Sequence, residues 1–153
     1  FVQSITVPAV RCFVANDSFR KNEEKKHGRW WFLGLDFTGP FSGKIEKDVP
    51  KAKLMIRLLA RQARDEAIIA KLGGKAKAET TLSHLFHLLS LQPKGEDGVL
   101  LTNGYSNIFY IRNAEGGLMA VYAFWAKGFG NWYVYAAINN SEEWGTGNQI
   151  FSC

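Results

Sequence analysis

The last third of the chain, residues 99–153, is rich in aromatic residues and nearly free of charge. It holds twelve of the 21 aromatic residues, including all five tyrosines, but five of the 33 charged residues. Large rings on both faces of successive strands need cover from helices, from a second copy of the chain or from a ligand. This feature constrains the architecture more than it constrains the chemistry.

The overall composition is that of a globular protein. A chain of 153 residues with 46% hydrophobic and 22% charged residues is long enough to bury a core, and we expect one domain over 1–153. The net charge of +5 is uneven, because 17 basic and 11 acidic residues precede Val99. A basic front half favours anionic partners, although +5 is common among proteins that bind no nucleic acid.

Cysteine usage and the chain start bear on the compartment. Cys12 and Cys153 form no disulfide framework, so we expect unpaired thiols and a cytoplasmic protein. The first residue is Phe1 rather than methionine, which is compatible with a longer precursor and a removed signal peptide. No apolar run approaches the ~20 residues of a membrane span, so no membrane partner is expected.

Two helices are predicted in the middle of the chain. Pro50 and an Ala-, Leu-, Lys- and Arg-rich run predict a long helix over 51–72, ended by Gly73. The alternative is a break in this helix near Asp65, which would cap a second short helix. Thr80 or Thr81 caps the second helix. Its predicted buried stripe contains Leu82, Leu85, Phe86 and Leu89.

Strands are predicted on both sides of these helices. The front of the chain has candidate strands at 5–15, 30–37 and 44–46, and the last third has them at 99–102, 107–112, 118–125, 132–138 and 149–152. Short Gly-containing loops between the later strands indicate antiparallel neighbours. We therefore predict the α+β class: an antiparallel sheet of five to seven strands with two consecutive central helices packed on one face.

The aromatic sheet is the first functional candidate. One of its faces must meet the helices. We expect the other to meet a partner or to line a cleft, because Tyr and Trp suit half-wet surfaces. The alternative is that the sheet curls over itself and encloses all of its rings. We expect a small non-enzymatic binding or assembly module, a homodimer, that uses this face for dimerisation or ligand contact. The predicted contact residues are Tyr110, Tyr122, Trp125, Trp132, Tyr133 and Tyr135.

A nucleic-acid-binding protein is the alternative hypothesis. Basic residues recur on one side of the predicted long helix, where they could contact successive phosphates. They are Lys53, Arg57, Arg61, Arg64 and Lys71. The same pattern is typical of a solvated helix face.

A small enzyme is the second alternative. Trp30, Trp31 and the C-terminal rings could wall a pocket in which Asp36 or a histidine acts as acid or base. No nucleophile is paired with a base along the sequence. His84 and His87 are spaced to share a metal but have no further ligand nearby, so we expect no metal and no cofactor.

Overall fold

The structure is a computed structural model that describes residues 3–20, 31–138, 140 and 142–153. Within this part of the chain, the main sheet has eight strands. They are β1 (Gln3–Val7), β3 (Trp31–Leu33), β5 (Ala52–Leu58), β7 (Glu79–Thr80), β8 (Asn107–Arg112), β9 (Leu118–Ala126), β10 (Asn131–Ala137) and β12 (Gln149–Ser152). Their order in the sheet is β1-β5-β12-β8-β9-β10-β3, and β7 also pairs with β8.

Two small ribbons and five short helices complete the described elements. The ribbons pair β2 (Val10–Val14) with β4 (Ile45–Val49) and β6 (Ala63–Arg64) with β11 (Glu143–Trp144). The helices are α1 (Ala15–Ser18), α2 (Leu35–Phe41), α3 (Asp65–Leu72), α4 (Lys75–Ala78) and α5 (Leu82–Leu91). The α+β class is therefore confirmed.

The main sheet is mixed, so the prediction of an antiparallel sheet holds only in part. Consecutive strands β8, β9 and β10 pair antiparallel, as their short loops require. Three other pairs are parallel, namely β10 with β3, β12 with β8 and β7 with β8. These pairs join segments far apart in sequence, which turn chemistry cannot reveal.

Alternation along the strands divides the sheet into a first face and a second face. The first face carries Phe109, Val121, Trp132 and Phe151, which share one buried core with α5. The same core also contains Phe37 and Phe41 of α2 and Phe13 of β2. The first face therefore shares its core with residues of α2, α5 and β2, and this core is the larger of the two described clusters.

The second face has its own, smaller core. Ile108 and Tyr110 of β8 and Ile150 of β12 pack there against Ile68 and Ile69 of α3. Ala78 of α4 and Trp144 of β11 belong to the same cluster. The expectation that two consecutive helices share one face is not confirmed, because α3 groups with the second face and α5 with the first.

The long helix predicted over 51–72 is wrong in its first half. Residues 52–58 form β5 between β1 and β12. Helix α3 begins at Asp65, close to the break that the alternative placed there, but its N-cap is Arg64 and the segment before the break is a strand rather than a first helix. Leu54 and Ile56 are buried while Lys53 is exposed, which is the period of a strand. Helix-favouring residues were overridden here because two neighbouring strands offered pairing partners.

The second predicted helix is confirmed as α5. The side chain of Thr81 accepts a hydrogen bond from the His84 backbone N–H, and the His84 ring accepts one from Thr81 N–H. Leu82, Leu85 and Leu89 are fully buried, as their spacing predicts. The carboxylate of Glu46 accepts the Leu82 and Ser83 N–H groups at 2.8 and 3.0 Å, so an acidic side chain from β4 also caps this helix.

Three other predicted strands differ from the elements that the structure shows. The run 5–15 divides at Pro8 into β1 and β2, because proline cannot continue the ladder. The run 30–37 gives β3 followed by α2, and its first residue, Trp30, lies outside the described residues. The predicted strand at 99–102 is irregular chain, in which the Leu100 backbone bonds to the Gln92 side chain.

Candidate binding surface

One half of the second face lies outside the core cluster that contains α3 and α4 residues, and it carries a row of rings. Six residues make up this surface, which we call the aromatic face: Phe32, Tyr122, Phe124, Phe129, Tyr133 and Tyr135. Five of them are half-buried, and Phe129, in the β9–β10 turn, is 75% exposed. Aromatic side chains of this density at a surface are what distinguishes contact sites from ordinary exterior.

Strand register brings the rings together. Tyr133 is opposite Phe124 and Tyr135 is opposite Tyr122 in the β9–β10 pair, while Phe32 is beside Tyr133 in the parallel β3–β10 pair. Because paired residues project to the same side of a sheet, all five of these rings lie on one surface.

The rings are in mutual contact. The Phe32 and Tyr133 rings stack with centroids 5.0 Å apart, and the Phe124 and Tyr135 rings are 5.9 Å apart and nearly parallel. A chain of neighbouring rings runs from Phe129 through Tyr133 and Tyr135 to Tyr122, with centroid spacings of 6.0, 6.2 and 5.8 Å. These contacts limit the rotamers that the ring side chains can adopt.

Trp144 marks the boundary between the covered and open halves of the second face. Its ring meets Tyr122 edge-on at 5.0 Å, and its indole N–H donates to the buried carboxylate of Asp65. Trp144 is therefore fixed to α3 and covers one side of Tyr122. Beyond Tyr122, none of the described helices is part of the core cluster on this face.

Two acidic side chains, Asp36 and Glu142, lie near the aromatic face. A Cβ atom built on Gly34 would lie 2.2 Å from the Tyr135 ring and 2.7 Å from Oδ1 of Asp36, so ring and carboxylate are neighbours. Burial, helped by Asp36 and Glu142, raises the pKa of Tyr122 to about 12. Burial also raises the pKa of Tyr135, with Tyr133 and Asp36 adding to the effect.

Three of the six predicted contact residues lie on the aromatic face, namely Tyr122, Tyr133 and Tyr135. Tyr110 and Trp132 are wrong as surface candidates, since they are 1% and 0% exposed. Trp125 is half-buried on the first face, where its ring meets Trp132 and lies against Gly95.

The sequence analysis missed the three phenylalanines. Phe124 lies on the same face as Tyr122 because the two residues are two positions apart in β9, so alternation along the strand could have predicted it. Phe129 follows in the turn. Phe32 joins them only because β3 pairs with β10, a hundred residues later in the chain. No local pattern could have placed it there.

The basic residues of the nucleic-acid hypothesis do not form the predicted helical stripe. Lys53 and Arg57 project from the second face of β5, where Arg57 donates to the Ser152 hydroxyl at 3.1 Å. Arg61 is in the following loop, Arg64 donates to the Asn140 carbonyl, and Lys71 is in the last turn of α3. Contact with nucleic acid through these side chains stays a prediction, which a gel-shift salt series would test.

The carboxylates of Asp36, the acid named in the enzyme hypothesis, and of Glu46 lie in different environments. Asp36 is exposed beside Tyr135, whereas Glu46 is buried and bonded to the N-terminus of α5 and to Lys44. A groove of about 540 Å³ lies between α2 and the β8–β9 hairpin, but its described lining includes only one carboxylate, Glu115. Among the described residues, no group of three His, Cys, Asp or Glu side chains could hold a metal ion.

No helix in the described part of the chain is long and apolar enough to cross a membrane. No protein family, curated protein or solved structure matches this chain.

Proposed function

We propose that this protein is a non-enzymatic binding module that contacts its partner through the aromatic face. One observation carries the proposal. The helices cover one half of the second face, while six mutually packed rings occupy the other half with their outer surfaces in water.

The composition of the surface supports contact with a partner rather than incidental exposure. Tyrosine and phenylalanine present large contact areas on few rotatable bonds, so little conformational entropy is lost when they are covered. An isolated exposed ring is ordinary, but a contiguous set of rings is characteristic of contact surfaces. The tyrosine hydroxyls at the rim can hydrogen-bond to water before binding and to the partner afterwards.

A second copy of the chain is the first occupant to test, because the composition predicts a homodimer. Light scattering over a dilution series would compare the wild type with the double variant Phe124→Thr, Tyr133→Thr. Threonine suits strands, so the variant keeps strand propensity while losing aromatic area. If the protein dimerises through this face, the wild-type mass should fall from that of a dimer to that of a monomer on dilution. The variant should have the monomer mass at every concentration.

The matched control is Leu58→Thr, which changes a residue that is 63% exposed on β5, outside the aromatic face. Self-association that survives the aromatic double variant but is lost in the Leu58 variant would contradict a role for the aromatic face. A wild type that is monomeric at every concentration would contradict dimerisation through this face.

We also propose a cytoplasmic location. Cys12 and Cys153 are both exposed free thiols in the structure, the state that a reducing compartment maintains. Counting thiols by mass spectrometry after alkylation of the freshly isolated protein would test this, since two alkylated cysteines are expected. A disulfide-linked species would contradict it.

A further inference from the structure

We propose that Asn103 is a site of spontaneous covalent modification, where the side chain cyclises onto the Gly104 nitrogen and the ring then opens to aspartate and isoaspartate. The inference is independent of the proposed function, because it concerns the loop that precedes β8 rather than the aromatic face. It rests on the dipeptide and on the local geometry that the fold gives to this loop.

The pair Asn103-Gly104 is the only Asn-Gly sequence in the chain. Attack of the glycine nitrogen on the side-chain carbonyl carbon closes a five-membered ring, and the reaction gains because both groups belong to one chain. Glycine is the least hindered residue that can supply this nitrogen, since it has no Cβ. Even an added Cβ at Gly104 would meet nothing within 4 Å, so the space beside this backbone atom is open.

The attacking nitrogen and the leaving group are both accessible to water. Asn103 and Gly104 are exposed and lie outside helices and strands. Within the described part of the chain, neither the Gly104 N–H nor Nδ2 of Asn103 has a hydrogen-bond partner. An acceptor on either group would oppose its movement and its exchange of protons, so this loop lacks the restraint that regular secondary structure imposes.

The side-chain carbonyl of Asn103 is held against the backbone that attacks it. Its Oδ1 accepts a 3.2 Å hydrogen bond from the Tyr105 N–H, a contact that asparagine commonly makes with the backbone two residues ahead. When the Gly104 nitrogen bonds to Cγ, negative charge develops on Oδ1. The Tyr105 N–H is already in place to stabilise that charge.

The reaction needs only water as a co-reactant. Hydroxide removes the Gly104 N–H proton, the nitrogen bonds to Cγ, and the Cγ–Nδ2 bond breaks as Nδ2 takes up a proton and leaves as ammonia. Water then opens the ring at Cγ to give aspartate, or at the backbone carbonyl carbon of residue 103 to give isoaspartate. Either product gains one negative charge and a mass of about one dalton.

Other asparagines provide unreactive references in the same molecule. Asn113 and Asn148 are followed by residues that carry a side chain, and both ends of each amide are hydrogen-bonded. The Asn113 side chain accepts two backbone N–H groups and donates to the Met119 sulphur. The Asn148 side chain accepts the Ser106 N–H and donates to the Gly145 carbonyl.

Isoaspartate at position 103 would alter the junction between β8 and β12. The loop contacts that junction directly, because Gln149 N–H donates to the Ser106 carbonyl at 3.0 Å and a Cβ on Gly147 would lie 2.9 Å from the Tyr105 ring. Isoaspartate lengthens the main chain by one carbon atom just before these contacts. We therefore expect it to displace Tyr105, whereas aspartate, which only adds charge, should not.

The test is an ageing series of the folded protein at 37 °C, at pH 7 and at pH 9, with digestion in acid and mass spectrometry of the resulting peptides. Conversion at Asn103 should rise with pH, because hydroxide removes the proton from the attacking nitrogen. Asn113 and Asn148 should stay unmodified in the same digest. A synthetic peptide of residues 99–108 gives the rate without the fold, and the two rates should agree within about three-fold because exposed loops open at little cost.

The matched variant is Asn103→Gln, which keeps an exposed amide but must close a six-membered ring. Conversion at position 103 should fall by about ten-fold or more in this variant, since the reacting groups are less favourably placed. Circular dichroism of each sample confirms that the fold is intact during ageing.

Three outcomes would overturn the inference. The first is conversion of the peptide without conversion of the folded protein, because the fold would then protect Asn103. The second is equal conversion at Asn103, Asn113 and Asn148. The third is an unchanged rate in the Asn103→Gln variant. The effect on Tyr105 is tested separately, by NMR of the isoaspartate fraction after ion exchange, and signals identical to those of an Asn103→Asp variant would contradict it.

Discussion

The hydroxyl of Tyr110 donates a 2.8 Å hydrogen bond to Oδ1 of Asp65, and the two residues are 1% and 0% exposed. The same oxygen accepts the indole N–H of Trp144 at 2.8 Å, and Oδ2 accepts the Asn140 N–H. One buried carboxylate thus joins β8, α3 and the segment that ends the covered half of the second face. It fixes Trp144 at the edge of the aromatic face.

Replacing Asp65 with alanine should destabilise the protein by about 3–5 kcal/mol, because it leaves buried donors without an acceptor. Urea denaturation would measure the loss. Tyr110→Phe removes one donor and should cost about 1–2 kcal/mol. The exposed Asp97→Asn variant is the control, and a loss below about 1 kcal/mol for Asp65→Ala would show that the network is not structural.

Stability should fall in alkaline solution. Burial raises the pKa of Tyr110 above its ordinary value of 10.0, and the charge and hydrogen bond of Asp65 add to this. Above pH 10 the unfolded chain therefore loses this proton while the folded protein keeps it, so deprotonation favours unfolding as the pH rises. Urea midpoints at neutral pH and above pH 10 would measure the effect, and Tyr110→Phe should flatten it.

Stability should also fall in mild acid because of His84. Burial lowers its pKa below 6.5, His87 adds to the shift, and the carboxylate of Glu46 opposes it. The ring accepts the Thr81 N–H through Nδ1, which protonation would prevent, and its Nε2 is buried without a partner in the described structure. The unfolded chain binds the proton first, so this contribution is complete above pH 6.5 and declines below it.

Thermal unfolding of His84→Gln across this pH range should show a smaller loss of stability with falling pH than thermal unfolding of the wild type. His87→Gln, three residues along the same helix, is the matched control. It removes only the small contribution of His87 to the pKa of His84, so it should flatten the slope less than His84→Gln does. The assignment fails if the two variants decline equally.

Gly34→Ala should disturb the aromatic face without replacing any of its ring residues. The new methyl group would lie 2.2 Å from the Tyr135 ring, so the ring or the backbone must move. We expect destabilisation of about 1–3 kcal/mol and altered NMR shifts of Tyr135. Gly39→Ala is the control within α2, since a Cβ there would meet nothing within 4 Å. Unchanged spectra in both variants would contradict the close contact at Gly34.

Local signals predicted the elements whose residues are stabilised by their sequence neighbours. Thr81 and the leucine spacing after it predicted α5, and alternation predicted β8, β9 and β10 together with the separation of their two faces. Alternation also placed Tyr122 on the other face of the sheet from the buried Val121. These features follow from the geometry of one helix or one strand, so a sequence pattern of period 3.6 or 2 is enough to find them.

The run around Ile56 shows where this approach fails. Its residues favour a helix, yet Leu54 and Ile56 also alternate with Lys53 and Arg57, so two periods fit the same letters. Pairing with β1 and β12 decided in favour of a strand. Because those partners lie about 50 and 95 residues away, their contribution cannot be read from the segment itself.

The sequence by itself determined that the last third must form strands with rings on both sides and that those rings would need cover. Only the tertiary structure decided which rings receive that cover. Tyr110 and Trp132 lie under α3 or beside α5 and are buried, while Tyr133 and Tyr135 are half-buried and belong to neither described core cluster. The physical reason is that burial depends on which elements pack over a strand, and that depends on pairings between distant parts of the chain.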